Sequence, residues 1–523
     1  MKSFQDHLNT FGKNNSELLF KDKILRSSAI FPFIINKKLD VKILFLSYWL
    51  LKRKISDITC KITIRNLIGK EVYSKNQKIN FIKSFTFSVR RILKNNRLNI
   101  KSGSVEIEFF SNLNLVFPYP AVLVNFESQN CSTFVHSCGR IFNNNEDQKK
   151  NSKFLVPESG FDLLPDKKSN TFFSFVNGKK KLLNQKIELI LLNQFNEKIK
   201  KTFKVEVIKP YETKFFFFLR GNEKNFLRNG KGTVIINHSF KNFFPRFMCG
   251  NLSVDESFST LTHSYYDLSK NNDKKFNLWK NPNPKKYYDG VVSIPVFLDE
   301  KKYTELVIYP NFFKKNFSLK FQLIGQSKKI NLKKKIYINK NFKSPLYLNI
   351  SDIVISEVKN INKKKSYILK IICEGQTVIP TRIKFGLNIG ENKEENIPSN
   401  VCFNVYVPSN NFERKPKTFK WGLVLPNQDY EIFLSNISYL RKKFKKANIE
   451  LKFWNAEKNK CLIKKISIND DSFYRFSLKK NNEILKFLNN KPGWFTAVSD
   501  NPFISGFFIN FGKNGIVGAD HFF

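Results

Sequence analysis

Ile449-Glu450-Leu451-Lys452-Phe453 alternates apolar and polar residues strictly, and the pattern recurs at Lys61-Ile62-Thr63-Ile64-Arg65, Ser104-Val105-Glu106-Ile107-Glu108, Lys204-Val205-Glu206-Val207 and Lys465-Ile466-Ser467-Ile468-Asn469. A period of two sends successive side chains to opposite faces, so each run predicts a short strand with one buried face. Helical spacing is confined to Leu440–Ala447 and Glu483–Leu488, which predict short helical insertions. The chain therefore reads as all-β.

These strands fall into an order that repeats. Four apolar strands (Val41 to Tyr48, Phe172 to Val176, Glu305 to Tyr309, Trp421 to Leu425) each open a segment, and the last three close on Asn177-Gly178, Pro310-Asn311 or Pro426-Asn427. Alternating hairpin arms follow, around Ile62-Ile64, Ile187-Leu191, Leu319-Leu323 and Ile449-Phe453. Each segment later carries a proline (Pro120, Pro245, Pro380, Pro502) before an apolar strand, reading AVLVNF, RFMCGNL, RIKFGLNI and FISGFFINF. A final strand places His136, His263 and His521 at one repeat position, with Asn404 there in the third segment. Six or seven strands in about a hundred residues predict small antiparallel sandwiches. The expected fold is thus four tandem immunoglobulin-like β-sandwich repeats, at 41–140, 171–268, 303–406 and 419–523. The stretches 141–170, 269–302 and 407–418 are expected to be linkers, and 1–40 an N-terminal extension outside the repeats.

Composition bounds the function. The 523 residues include 90 Lys+Arg against 43 Asp+Glu, a formal charge of +47, with 41% hydrophobic residues. That apolar content excludes disorder throughout, and no run of about 18 apolar residues marks a membrane helix. The charge points to polyanions in general. Its lysines run from Lys2 to Lys513 and gather in no single arm, which argues against a dedicated nucleic-acid motif. Asp6 interrupts the stretch where a secretory signal needs apolar residues, so a cytoplasmic location is expected. Seven scattered cysteines suit neither a disulfide framework nor a zinc ribbon.

The recurrent histidine is the sharpest candidate, either closing each sandwich or facing a ligand at each module end. The second segment adds Arg246, Tyr266 and Asp267 around His263, and the first adds Arg140, whose fork suits a carboxylate or phosphate. Ser264, His263 and Asp267 do not read as a triad, because neighbours on a strand face opposite ways. No metal is expected: each segment offers one histidine, and sandwiches in a line hold their ends roughly 20–35 Å apart. The expected function is a non-enzymatic binding or scaffold protein without cofactor, contacting an acidic glycan or other polyanion through module-end loops. The alternatives are a carbohydrate- or nucleotide-sugar-acting enzyme with a site near His263 and Asp267, and sequence-indifferent nucleic-acid binding.

Overall fold

The structure is a computed structural model. It describes residues 24–141 apart from 116, 118, 137 and 138; residues 158–266 apart from 165–167, 241, 242 and 245; and residues 278–523 apart from 311–314, 327, 328, 340, 376, 381, 382, 394, 406, 409–417 and 427. Among these residues the chain is mostly β, in many small antiparallel sheets, and no helix is long and apolar enough to cross a membrane.

The first block of strands runs Arg26–Ile34, Asp40–Leu46, Thr59–Asn66, Glu71–Lys78, Ser84–Ser88, Ser102–Phe110, Val122–Glu127 and Ser132–His136. Its first, sixth, third and fourth strands pair in that order in one sheet, and its fifth, second, seventh and eighth in another. Three further blocks, from Glu158–Leu163 to Ser259–His263, from Gly290–Val296 to Ser399–Asn404 and from Thr418–Val424 to Val517–His521, pair in the same two orders. Among the described residues three short pairings lie outside this scheme: Arg140–Ile141 with Phe243–Phe244, Leu278–Trp279 with Ile379–Pro380, and Tyr265–Tyr266, a fifth strand beside Glu158–Leu163. A helix follows the fifth strand in every block: Val89–Asn95, Asn222–Phe226, Ile350–Glu357 and Asn482–Leu488. Ser88 and Asn349 cap two of these helices through their side chains, each satisfying an orphan backbone N–H.

Some sequence expectations are corrected. Residues 26–34, assigned to an N-terminal extension, and residues 158–163 and 290–296, assigned to linkers, are the first strands of their blocks. Each pairs with the sixth strand; Phe31 lies opposite Val105 and Ile294 opposite Leu369. Their sequences run apolar on successive positions, as in SSAIFPF and VVSIPVF, so alternation does not reveal them. Leu440–Ala447 is not a helix. Leu440 bridges to Tyr287, the Phe444 N–H donates to the Asp470 carboxylate at 2.8 Å, and the Phe444 ring packs on Phe503. These tertiary contacts override a helical pattern that is only two turns long.

The second sheet of the first and fourth blocks is buried on both faces. In the strand Asp40–Leu46, Val41, Ile43 and Phe45 fill the core of the first block, while Leu44 and Leu46 enter a core shared with Ile432, Leu434 and Phe508 of the fourth. The opposite face of that fourth-block sheet, with Phe433 and Ile509, packs with Leu306 and Leu387 of the third. Phe172, Met248 and Leu261 of the second block join the core of the first. Each such side chain contributes roughly 1.5–3 kcal/mol of burial. The blocks therefore close on one another and are not strung in a line.

Candidate functional site

The closure brings the four eighth strands together. Ser132–His136 packs beside Val517–His521 on one side and Ser259–His263 on the other, and Ser399–Asn404 packs against the latter two. Approach is close where side chains are small. A Cβ on Gly518 would stand 2.3 Å from the Ser132 carbonyl oxygen and 3.0 Å from the Thr133 Cα. Polar groups stitch the same contact. Asn510 Nδ2 donates to the Ser132 carbonyl at 3.0 Å, Thr133 Oγ1 to the Ser259 carbonyl at 2.5 Å, and Thr262 Oγ1 meets Cys402 Sγ at 3.7 Å. Gly518→Ala is expected to lower stability by about 1–3 kcal/mol through overpacking, read from the urea unfolding midpoint. An unchanged midpoint would mean that the strands separate without cost.

At the C-terminal ends of these strands the three recurrent histidines meet. The His136 ring lies 4.5 Å from that of His263 and 4.9 Å from that of His521, centroid to centroid, both edge to face. The expectation of histidines at separate module ends is overturned by the closed packing of the blocks. His136 Nδ1 pairs with Asp520 Oδ2 at 2.9 Å, joining the first block to the fourth. His263 Nδ1 lies 3.0 Å from the Ser264 carbonyl and His521 Nδ1 2.9 Å from the Phe522 carbonyl. A carbonyl only accepts, so both rings carry their proton on Nδ1 and present a lone pair on Nε2. For His263 that lone pair faces the Arg246 guanidinium at 3.3 Å.

Burial, reinforced by Arg246 and His136, holds His263 well below the usual imidazole range. Burial likewise brings His521 down to about 4, against the opposing pull of Asp520. Burial pushes the Asp520 carboxyl up, but His136 outweighs it and keeps the group ionised to lower pH than usual.

Of the other candidates, Arg246 joins this centre. Arg140 is buried in the short pairing with Phe244, where the first and second blocks meet. Tyr266 extends the sheet of the second block, its backbone opposite Glu158, and Asp267 lies outside the described residues.

Two further polar clusters escaped sequence reading. Between the second and third blocks, Lys231 Nζ meets both Glu305 oxygens at 2.7 and 2.6 Å, and Asn388 donates to Glu305 at 3.0 Å and also to Asp162. The hydroxyls of Tyr309 and Tyr347 reach the same Asp162 oxygen at 3.2 and 3.4 Å. Burial pushes the Asp162 carboxyl up to about 7, although the Asn388 bond favours its ionised form. The adjoining cavity, lined by Asp162, Asn251, Thr262 and Asn400, measures about 20 Å³, room for one water and not for a sugar ring.

Between the first and second blocks lies a more open cleft of about 600 Å³. There Arg26 pairs with Glu108 at 2.8 Å and Glu106 at 3.3 Å, Arg65 pairs with Glu106 at 2.8 Å, and Arg65 stacks on Tyr211. Lys61 and Lys179 line the same cleft. A signal that could have found the first cluster is a lone acid inside an apolar run, as in GFDLL and TELVI; Glu106 and Glu108 alternate as on a solvated face and carried none. Compared with known proteins, the chain matches no family model and no curated protein.

Proposed function

We propose that the chain is a non-enzymatic scaffold or binding protein made of four tandem copies of one eight-stranded sandwich. The resemblance to immunoglobulin domains is at the level of two packed antiparallel sheets, since constant-type domains divide seven strands as four and three. The modules close around a shared centre, so the histidines serve the closure and the contact surface lies outside. The placement of lysines supports this reading. The fourth strand of each block is the edge of its outer sheet, and it exposes Lys75 and Lys78, Lys198, Lys200 and Lys204, Lys333 to Lys335, or Lys465. Such lysines protect an edge from pairing with another chain, and they also present a row of cations to an acidic polymer. An acidic glycan or similar polyanion is the proposed partner.

The test is a binding screen of heparin, lipopolysaccharide, RNA and DNA at low and physiological salt. Replacing Lys333, Lys334 and Lys335 together by Glu is expected to weaken binding of the preferred polymer at least about tenfold and to flatten its salt dependence. His263→Gln, at the buried centre, is expected to leave that affinity unchanged. Wild-type protein that holds none of these polymers at physiological salt would remove the polyanion reading, and a preference for RNA or DNA would replace the glycan by nucleic acid.

A further inference from the structure

We propose that His136, Asp520 and His521 bind one divalent transition-metal ion of the zinc, nickel and cobalt group where the first module meets the last. One donor atom from each residue lies within 4.8 Å of the other two. The 2.9 Å between His136 Nδ1 and Asp520 Oδ2 is already near one edge of a tetrahedral site, about 3.3 Å for bonds of about 2.0–2.1 Å. His521 completes the set through Nε2, its tautomer fixed by the Phe522 carbonyl behind Nδ1, as is usual for ligating histidines. On binding, the ion takes the place of the proton on His136 Nδ1, and the neutral imidazole carries that proton on Nε2 instead.

The surroundings select the metal. Arg246 stands beside His263, so a single carboxylate gives the centre no surplus negative charge. Hard ions that need several oxygen ligands, such as Ca²⁺ and Mg²⁺, are poorly served, whereas borderline ions use the imidazole lone pairs. His263 is excluded from the set, because its Nε2 faces Arg246 and its Nδ1 the Ser264 carbonyl. One histidine per module does not exclude a metal here, because the modules close and because Asp520 adjoins His521. An ion here would clip residue 136 to residues 520 and 521, locking the last module onto the first.

The full chain, stripped with a chelator and dialysed, is titrated with Co²⁺ and Zn²⁺. One ion per chain is expected, with visible Co²⁺ bands and a melting temperature raised by several degrees. Asp520→Asn and His521→Gln are each expected to weaken binding at least about tenfold. His263→Gln and the double variant His7→Ala/His238→Asn are expected to retain it. Wild-type protein that takes up neither ion at micromolar concentration overturns the proposal, as does binding that survives both Asp520→Asn and His521→Gln. Should those variants not fold, zinc-edge X-ray absorption of the wild-type protein decides: two imidazoles are expected, and fewer than two, or any sulfur ligand, overturns it.

Discussion

Lys231→Met is expected to destabilise the folded protein by about 3–5 kcal/mol, because it strips a buried carboxylate of its cation. The Glu305 side chain is 5% exposed, and Lys231 Nζ lies 2.6 and 2.7 Å from its two oxygens. Asn388 supplies a further donor, but it also serves Asp162, so the second acid cannot be relieved by the same amide. Without the ammonium, Glu305 and Asp162 face each other across Asn388 with no positive charge between them. The favourable outcome for such a pair is for one to stay protonated, which moderates the loss without removing it. Glu305→Gln in the Lys231→Met background is expected to recover more than half of the stability, since the uncompensated charge is then gone. Urea unfolding of the two single variants and the double variant measures the coupling. A loss below about 1 kcal/mol for Lys231→Met would class the pair with solvated surface bridges and remove the network as a clamp between the second and third blocks.

Strict alternation marked strands with one wet face, as at Ile449–Phe453, and Ile62, Ile449 and Ile466 sit on strands where the sequence placed them; Ser104–Glu108 also alternates, but its strand is buried on both faces. The inner strands also announced themselves, but the meaning of their continuous apolar runs went unread. In Val41-Lys42-Ile43-Leu44-Phe45-Leu46 the odd positions belong to one core and Leu44 and Leu46 to another. A strand with no polar face has a neighbour on both sides, so the run itself argued for modules packed back to back. Taking the segments as a line hid the convergence of His136, His263 and His521, although their matching place at the end of a segment was legible. Asp520 was passed over for a related reason: its partner is 384 residues away in the chain, and no local spacing records a contact of that kind. The run Lys333 to Lys335 posed the reverse problem, since it was plain in the sequence but its place on an edge strand was not.

Asp162→Asn and His238→Asn are expected to change the pH dependence of stability in opposite directions. His238 packs between Phe240 and Phe247 and accepts a hydrogen bond from the Phe240 N–H at 3.3 Å, and burial lowers it to about 4. An unfolded chain protonates this imidazole near pH 6.5. Between about pH 6.5 and 4 the unfolded state thus binds a proton that the folded state refuses, and stability falls as the pH falls. Asp162 works the other way. Its folded carboxyl keeps a proton up to about pH 7, whereas the ordinary value is 3.8, so its contribution is full in acid and is lost as pH rises towards 7. The effects amount to roughly 3 kcal/mol for His238 and roughly 4 kcal/mol for Asp162 across their windows. Relative to wild type, His238→Asn should therefore gain stability as the pH is lowered, because Asn retains an acceptor for the Phe240 N–H and takes up no proton. Asp162→Asn should gain as the pH is raised towards 7. Any constant offset from altered hydrogen bonding leaves these slopes untouched. Urea unfolding of the three proteins at about pH 4, 5.5 and 7 reads them directly. Differences from wild type that slope the same way in both variants would show that at least one of the two groups is not desolvated as the packing around Phe247 and Asn388 requires.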